Sequence, residues 1–104
     1  MYATVRRYEG IDKVRSEEIT RKVVDSLVPD IRELPGFIGY LLIDAGAGVL
    51  TSVSLFERSA QADTSTSLAA VWIREHDLES ALPNAPHITN GPLIALEPQR
   101  NASS

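Results

Sequence analysis

The stretch Leu34–Glu57, LPGFIGYLLIDAGAGVLTSVSLFE, limits what this chain can fold into more than any other part of it. Pro35-Gly36 stops whatever helix precedes it, because Pro cannot continue a helix and Gly tolerates positive φ. Phe37 to Ile43 is rich in apolar and aromatic residues and predicts a strand. Asp44 to Gly48, DAGAG, supplies a turn with two glycines for strained dihedrals, and Val49 to Phe56 is the returning strand. Side chains alternate along a strand. Phe37, Leu41 and Ile43 are therefore expected on one face, with Ile38, Tyr40 and Leu42 on the other. Both faces are apolar, whereas a half-solvated antiparallel strand alternates apolar with polar. The second strand puts Val49, Val53 and Leu55 on one face and Leu50, Ser52, Ser54 and Phe56 on the other. Helices can cover one face of such a sheet. In so short a chain the cover for the second face is another subunit, which predicts a homodimer through the sheet faces.

The flanking segments complete the pattern. Tyr2 to Tyr8 is rich in β-formers and predicts a first strand, with Tyr2, Thr4, Arg6 and Tyr8 on one face. Glu9-Gly10 turns the chain and Asp12 is the expected N-cap of a helix from about Lys13 to Glu33. Ile19, Val23, Leu27, Ile31 and Leu34 form its apolar stripe, and Pro29 should kink it or loosen its last turn. A second helix is expected from Ser59, its cap, to about His76. Thr64-Ser65-Thr66-Ser67 is poor helix material and predicts an irregular first half. Leu68, Ala69, Trp72 and Ile73 share a face, Asp77 to Pro86 reads as a loop, and His87 to Leu96 is a last strand. Gly91-Pro92 marks a bulge or an edge within it. The order β-α-β-β-α-β predicts an α+β, ferredoxin-like fold: a four-stranded antiparallel sheet with two helices on one face and strands one and three at the centre. Residues 1–97 make a single domain and 98–104 a frayed polar tail; the glycosylation triplet Asn101-Ala102-Ser103 has meaning only on a secretory route.

Composition excludes several functions. The chain has 104 residues, a net charge of −4 and no basic run, which argues against nucleic acid and anionic membrane surfaces. It has no cysteine, so no disulfide, Fe–S or thiolate zinc site is possible. No apolar run reaches membrane-spanning length and the first residues enter a strand, so no signal peptide and a cytoplasmic location are expected. His76 and His87 lie in different elements without clustered carboxylates, which predicts no metal site. Gly46-Ala47-Gly48 is a hairpin turn, not a phosphate loop entering a helix.

The candidate chemistry sits on a few residues. Trp72 and His76 are four apart, hence on one helix face. They make either a pocket wall with a catalytic base, His76, or a core tryptophan with a histidine that merely complements the helix dipole. Tyr40 faces a pocket or the dimer interface. Arg6 beside a tyrosine could bind an anionic or phenolic group, although a surface arginine that snorkels is the preferred reading. Leu68 belongs to the same candidate wall as Trp72; if Leu68, Trp72 and Ile73 instead fill the space, no ligand enters.

The residues LPGFIGY (Leu34 to Tyr40), DAGAG (Asp44 to Gly48), VSLFERS (Val53 to Ser59) and LAAVWIRE (Leu68 to Glu75) give the chain, over nearly its whole length, a resemblance to the dimeric α/β-barrel superfamily, and within it to the antibiotic biosynthesis monooxygenase (ABM) type domain. The resemblance implies two ferredoxin-like subunits with their sheets pressed together. It also implies a cofactor-independent monooxygenase or related tailoring enzyme acting on a small aromatic or polyketide-like substrate. The alternative is a non-catalytic dimeric module that binds a small molecule or a partner. A haem-degrading branch of the superfamily uses Trp and His with an Asn on the first strand. Here that strand has no Asn and the Trp-to-His spacing is shorter, so no haem chemistry is expected.

Overall fold

The computed structural model describes residues 1–97. The expected polar tail and its glycosylation triplet lie outside the described residues. The strands are β1 (Tyr2–Tyr8), β2 (Phe37–Gly46), β3 (Val49–Phe56) and β4 (His87–Pro92), all antiparallel in the order β2-β3-β1-β4. The helices are α1 (Lys13–Lys22), a π-helical turn (Val23–Leu27), α2 (Val28–Arg32) and α3 (Ser59–Glu75). This is the α+β, ferredoxin-like arrangement, with β1 and β3 central.

Asp12 caps α1 as expected, its carboxylate accepting from the Val14 N–H at 3.0 Å. Pro29 acts one turn upstream of itself. It has no N–H to donate and its ring crowds the preceding carbonyls, and the helix responds by widening into the π turn before it. The widening also serves the apolar stripe. At 3.6 residues per turn, a stripe repeating every four residues drifts by about 40° at each step. The wider turn takes up that drift, so Ile19, Val23, Leu27 and Ile31 are all buried.

The hairpin is tighter than the sequence implies. Only Ala47 and Gly48 lie between the strands, both with positive φ (53° and 77°), which is the type I′ geometry that suits strand twist. A Cβ at Gly48 would sit 2.6 Å from the Ile11 carbonyl oxygen. At the other end of β2, a bulge between Phe37 and Gly39 corrects the expected facing. Phe37 turns to the helix side with Tyr40 and Leu42 and meets Phe56 edge-on at 5.8 Å, while Ile38 is left exposed.

The first half of α3 is regular, against expectation. The hydroxyls of Thr64, Ser65 and Thr66 donate back to the carbonyls of Ala60 and Ala62, so they are satisfied inside the helix. Its N-cap is Arg58, not Ser59; the Gln61 side chain accepts from the Arg58 N–H at 3.0 Å. Past its C-cap, His76, Asp77 takes positive φ and the Leu78 N–H donates to the Ile73 carbonyl at 3.0 Å, a Schellman end. Leu78 and Ala81, in the segment expected to be a plain loop, are buried in the core. β4 ends at Pro92, an edge strand shorter than expected. No helix of the described residues is long and apolar enough to cross a membrane.

Candidate functional site

β1 brings Arg6 to the helix-facing side of the sheet, and there the expected snorkelling arginine fails. Arg6 is only 2% exposed. Its Nε donates to Ser52 Oγ (3.4 Å), Nη2 to Ser54 Oγ (3.1 Å) and Nη1 to Thr66 Oγ1 (3.2 Å). Ser52 faces Arg6 across the β1–β3 ladder, Ser54 lies two residues on, and Thr66 comes down from α3. All three acceptors are neutral, and no carboxylate among the described residues pairs with the guanidinium. A buried cation held by hydroxyls alone carries a desolvation cost that no ion pair offsets. Beside it, Thr4 Oγ1 is buried with no hydrogen-bond partner among the described residues.

Arg6, Tyr8, Tyr40 and Ser52 line one side of a small cavity between sheet and helices. Ile19, Val23, Leu27, Trp72 and other apolar groups complete the wall. Its volume is about 30 Å³, room for a few small atoms and too little for an aromatic ring. Burial pushes the Tyr8 phenol above the usual tyrosine range, partly opposed by the positive charge of Arg6. Tyr40 is raised for the same reason and opposed by the same charge. At neutral pH both are therefore hydrogen-bond donors, not bases.

Of the residues singled out in the sequence, Arg6, Tyr40 and Trp72 meet at this cavity. His76 and Leu68 do not line it. His76 lies behind Trp72, stacked on the indole at 4.6 Å. Its Nδ1 is 2.9 Å from the Trp72 carbonyl oxygen, to which an Nδ1–H donates. Its Nε2 is 3.5 Å from Ser26 Oγ, and that oxygen accepts from Trp72 Nε1–H at 3.0 Å. The π turn places Ser26 there. Leu68 instead borders a shallow groove on the outer side of Trp72, with Asp30 and Thr64. His87 is exposed on β4, 3.5 Å from Glu9. The described residues contain no cluster of metal-ligating side chains.

Sequence reasoning missed Ser26, Ser52, Ser54 and Thr66. Two of them had a signal. Ser52 and Ser54 interrupt a row that begins with Leu50 and ends with Phe56, both core residues. Polar groups in a core row need a partner, and Arg6 is the long donor on the neighbouring strand.

Structures with the same arrangement of elements are known. A monooxygenase from the gene ActVA-Orf6 of Streptomyces coelicolor, solved with nanaomycin D, matches with TM-score 0.71 at 17% identity, over 94% of this chain and 92% of that one. The fold is one that solved structures described as antibiotic biosynthesis monooxygenases share. SnoaB of Streptomyces nogalater, a cofactor-independent oxygenase solved as a point mutant, matches with TM-score 0.69 at 9% identity, over 94% of this chain and 97% of that one. A point mutant of MhuD, with two manganese protoporphyrin IX bound per active site, matches with TM-score 0.70 at 12% identity, over 91% of this chain and 96% of that one. No family model and no curated protein matches the sequence. At these identities the likeness concerns the fold alone, and structures that share it hold nanaomycin D in one case and manganese protoporphyrin IX in another.

Proposed function

We propose that this chain is a cofactor-independent oxygenase of small phenolic or enolisable aromatic compounds, working as a homodimer. The observation that carries the reading is the buried, carboxylate-free guanidinium of Arg6 at the edge of an apolar cavity that also holds Tyr8, Tyr40 and Trp72. Such a cation, desolvated and fixed by three hydroxyls, favours the anionic form of a ligand oxygen strongly. No carboxylate or histidine lines the cavity among the described residues. The pocket therefore suits holding an anion rather than abstracting a proton by a resident base, and His76 acts at one remove, positioning Trp72.

Dioxygen is a triplet and reacts slowly with closed-shell molecules. A bound phenolate or enolate is electron-rich enough to transfer one electron to it, giving a substrate radical and superoxide. The two recombine to a peroxide anion, which takes a proton and loses water to leave a carbonyl. Arg6, Tyr8 and Tyr40 would hold the oxyanion, and Trp72 would form the flat wall. Orientation of this kind is worth several orders of magnitude in rate. The dimer is proposed from the open sheet face, where Leu41, Ile43 and Ile38 are exposed beside Val5, Val53 and Leu55.

The test is oxygen uptake by metal-free protein with anthrone-type and hydroquinone substrates, in wild type and in Arg6→Met, Trp72→Ala and His76→Ala. Uptake that collapses in Arg6→Met and falls less in His76→Ala supports this order of roles; uptake indifferent to Arg6 and Trp72 removes the site. The small size of the cavity favours a second reading, a dimeric binding module without turnover. Saturable binding of phenols with no oxygen uptake would select it. Haem titrated with a reductant under air should show no catalytic loss of the Soret band.

A further inference from the structure

On the far side of the cavity wall lies a groove of about 370 Å³, more than ten times the inner volume and within the range of roughly 300–1,000 Å³ that holds small ligands. It is lined by α3, through Ala70, Ile73 and Arg74, and by the segment Glu79 to Pro86 that follows. Three side chains, Tyr8, Ile73 and Leu82, border both spaces. Tyr8 is held on β1 and Ile73 on α3, both regular elements. Leu82 stands on the irregular segment between α3 and β4 and is only half-buried.

The backbone of that segment is pinned. Leu78 and Ala81 are buried on one side of Leu82, and the Ala81 and Leu82 N–H groups both donate to the Leu78 carbonyl at 3.0 Å. On the other side Asn84 Nδ2 donates to the Glu9 carbonyl at 3.1 Å. The half-buried Leu82 side chain is the part of this segment that a change of rotamer can move without disturbing the backbone.

We propose that groove and cavity are two halves of one binding site for a planar aromatic ligand bearing an anionic oxygen, partitioned by the Leu82 side chain. The ring lies in the groove between Leu82, Pro83 and Ile73, and the oxygen passes Leu82 to the edge of the guanidinium. Leu82 then decides how deep and how wide a ligand enters. The inference rests on Arg6 as the group that holds the anion, and it explains how so small an inner cavity serves a substrate with rings.

The experiment uses 2-naphthoate as the probe, with affinity read by calorimetry and association rate by stopped-flow fluorescence of Trp72, the one tryptophan of the chain, and acrylamide as a neutral quencher of that residue. Trp72 also borders the groove near Leu68, so quenching from that side is a constant background in all variants. Leu82→Ala should raise the acrylamide quenching constant at least twofold and speed association of 2-naphthoate. Leu82→Phe should slow association at least fivefold. Ala70→Phe, at an exposed position that fills the groove without touching the core, should weaken binding tenfold or more. Quenching unchanged in Leu82→Ala, or affinity unchanged in Ala70→Phe, overturns the proposal. If Arg6→Met alone abolishes binding while the Leu82 and Ala70 variants do nothing, the anion site stands and the composite site falls. If the pattern holds but phenols consume no oxygen, the composite site stands and the oxygenase reading falls.

Discussion

The helix-facing side of the sheet's centre carries Thr4, Arg6, Ser52 and Ser54, all buried. The open side carries Val5, Val53 and Leu55, half-buried, with Leu41 54% and Ile43 48% exposed. A chain selected only to bury apolar surface would exchange the two sets. The buried polar set costs folding free energy, because a desolvated guanidinium is stabilised here by hydroxyls alone. The exposed apolar set leaves hydrophobic stabilisation unused within one subunit. Both departures agree with the two occupants proposed above, an anionic guest on one side and a second copy on the other.

The largest expected effect breaks the comparison at the open face. Leu41→Asp in a lone subunit would sit at the surface and change stability by less than about 0.5 kcal/mol. In a sheet-to-sheet dimer it buries an uncompensated carboxylate and costs roughly 3–5 kcal/mol. Sedimentation equilibrium at micromolar concentration with urea unfolding decides between them: a wild-type dimer that Leu41→Asp converts to monomer supports the pairing, and a wild-type monomer ends it.

Arg6→Met tests the other face. Loss of a charge-assisted hydrogen bond of about 1.5–3 kcal/mol should weaken binding of a phenolate or aromatic carboxylate about 10–100-fold. Stability should fall by no more than about 3 kcal/mol, because removing the desolvated charge offsets part of the cost of leaving the buried Ser52 and Ser54 hydroxyls without their donor. Calorimetric binding and a thermal melt together read this. Severe unfolding with intact binding would reverse the meaning of the buried set.

The two buried tyrosines give a pH signature. Burial raises Tyr8 and Tyr40 above the unfolded value of about 10. The folded chain thus retains protons that the unfolded chain gives up, so their contribution is intact below about pH 10 and falls as pH climbs through the unfolded and then the folded value. Tyr8→Phe and Tyr40→Phe should each flatten the alkaline loss of stability in urea titrations between pH 9 and about 11. An unchanged alkaline slope in both variants would place the phenols in water.

The smallest effect touches neither face and calibrates the others. Ala47 has φ of 53° in a turn that favours Asn-Gly. Ala47→Asn should stabilise by about 1 kcal/mol, with no change in binding or assembly.

Much of the architecture was legible because it rests on local rules. The Asp12 cap, the four-residue stripe from Ile19 to Ile31, the stop at Pro35-Gly36 and the strand pairing of the hairpin each follow from neighbours in the chain. The errors arose where a hydrogen bond or packing contact that propensity and simple alternation do not count overrode them. Thr64 to Thr66 are helical because their hydroxyls find carbonyls one turn back. Phe37 changes sides because a bulge lets it reach Phe56. For the site, Arg6, Tyr40 and Trp72 were named and do converge, whereas His76 and Leu68 share a helix with Trp72 without sharing its cavity.

The sequence by itself determined the order of elements and, outside the bulge at Phe37, which residues share a strand face, since periodicity and turn chemistry are properties of a few adjacent residues. Only the tertiary structure decided that Arg6 is buried. Ser52, Ser54 and Thr66 lie 46 to 60 residues away along the chain, and a charge leaves water only where several such distant groups are brought within hydrogen-bonding reach at once.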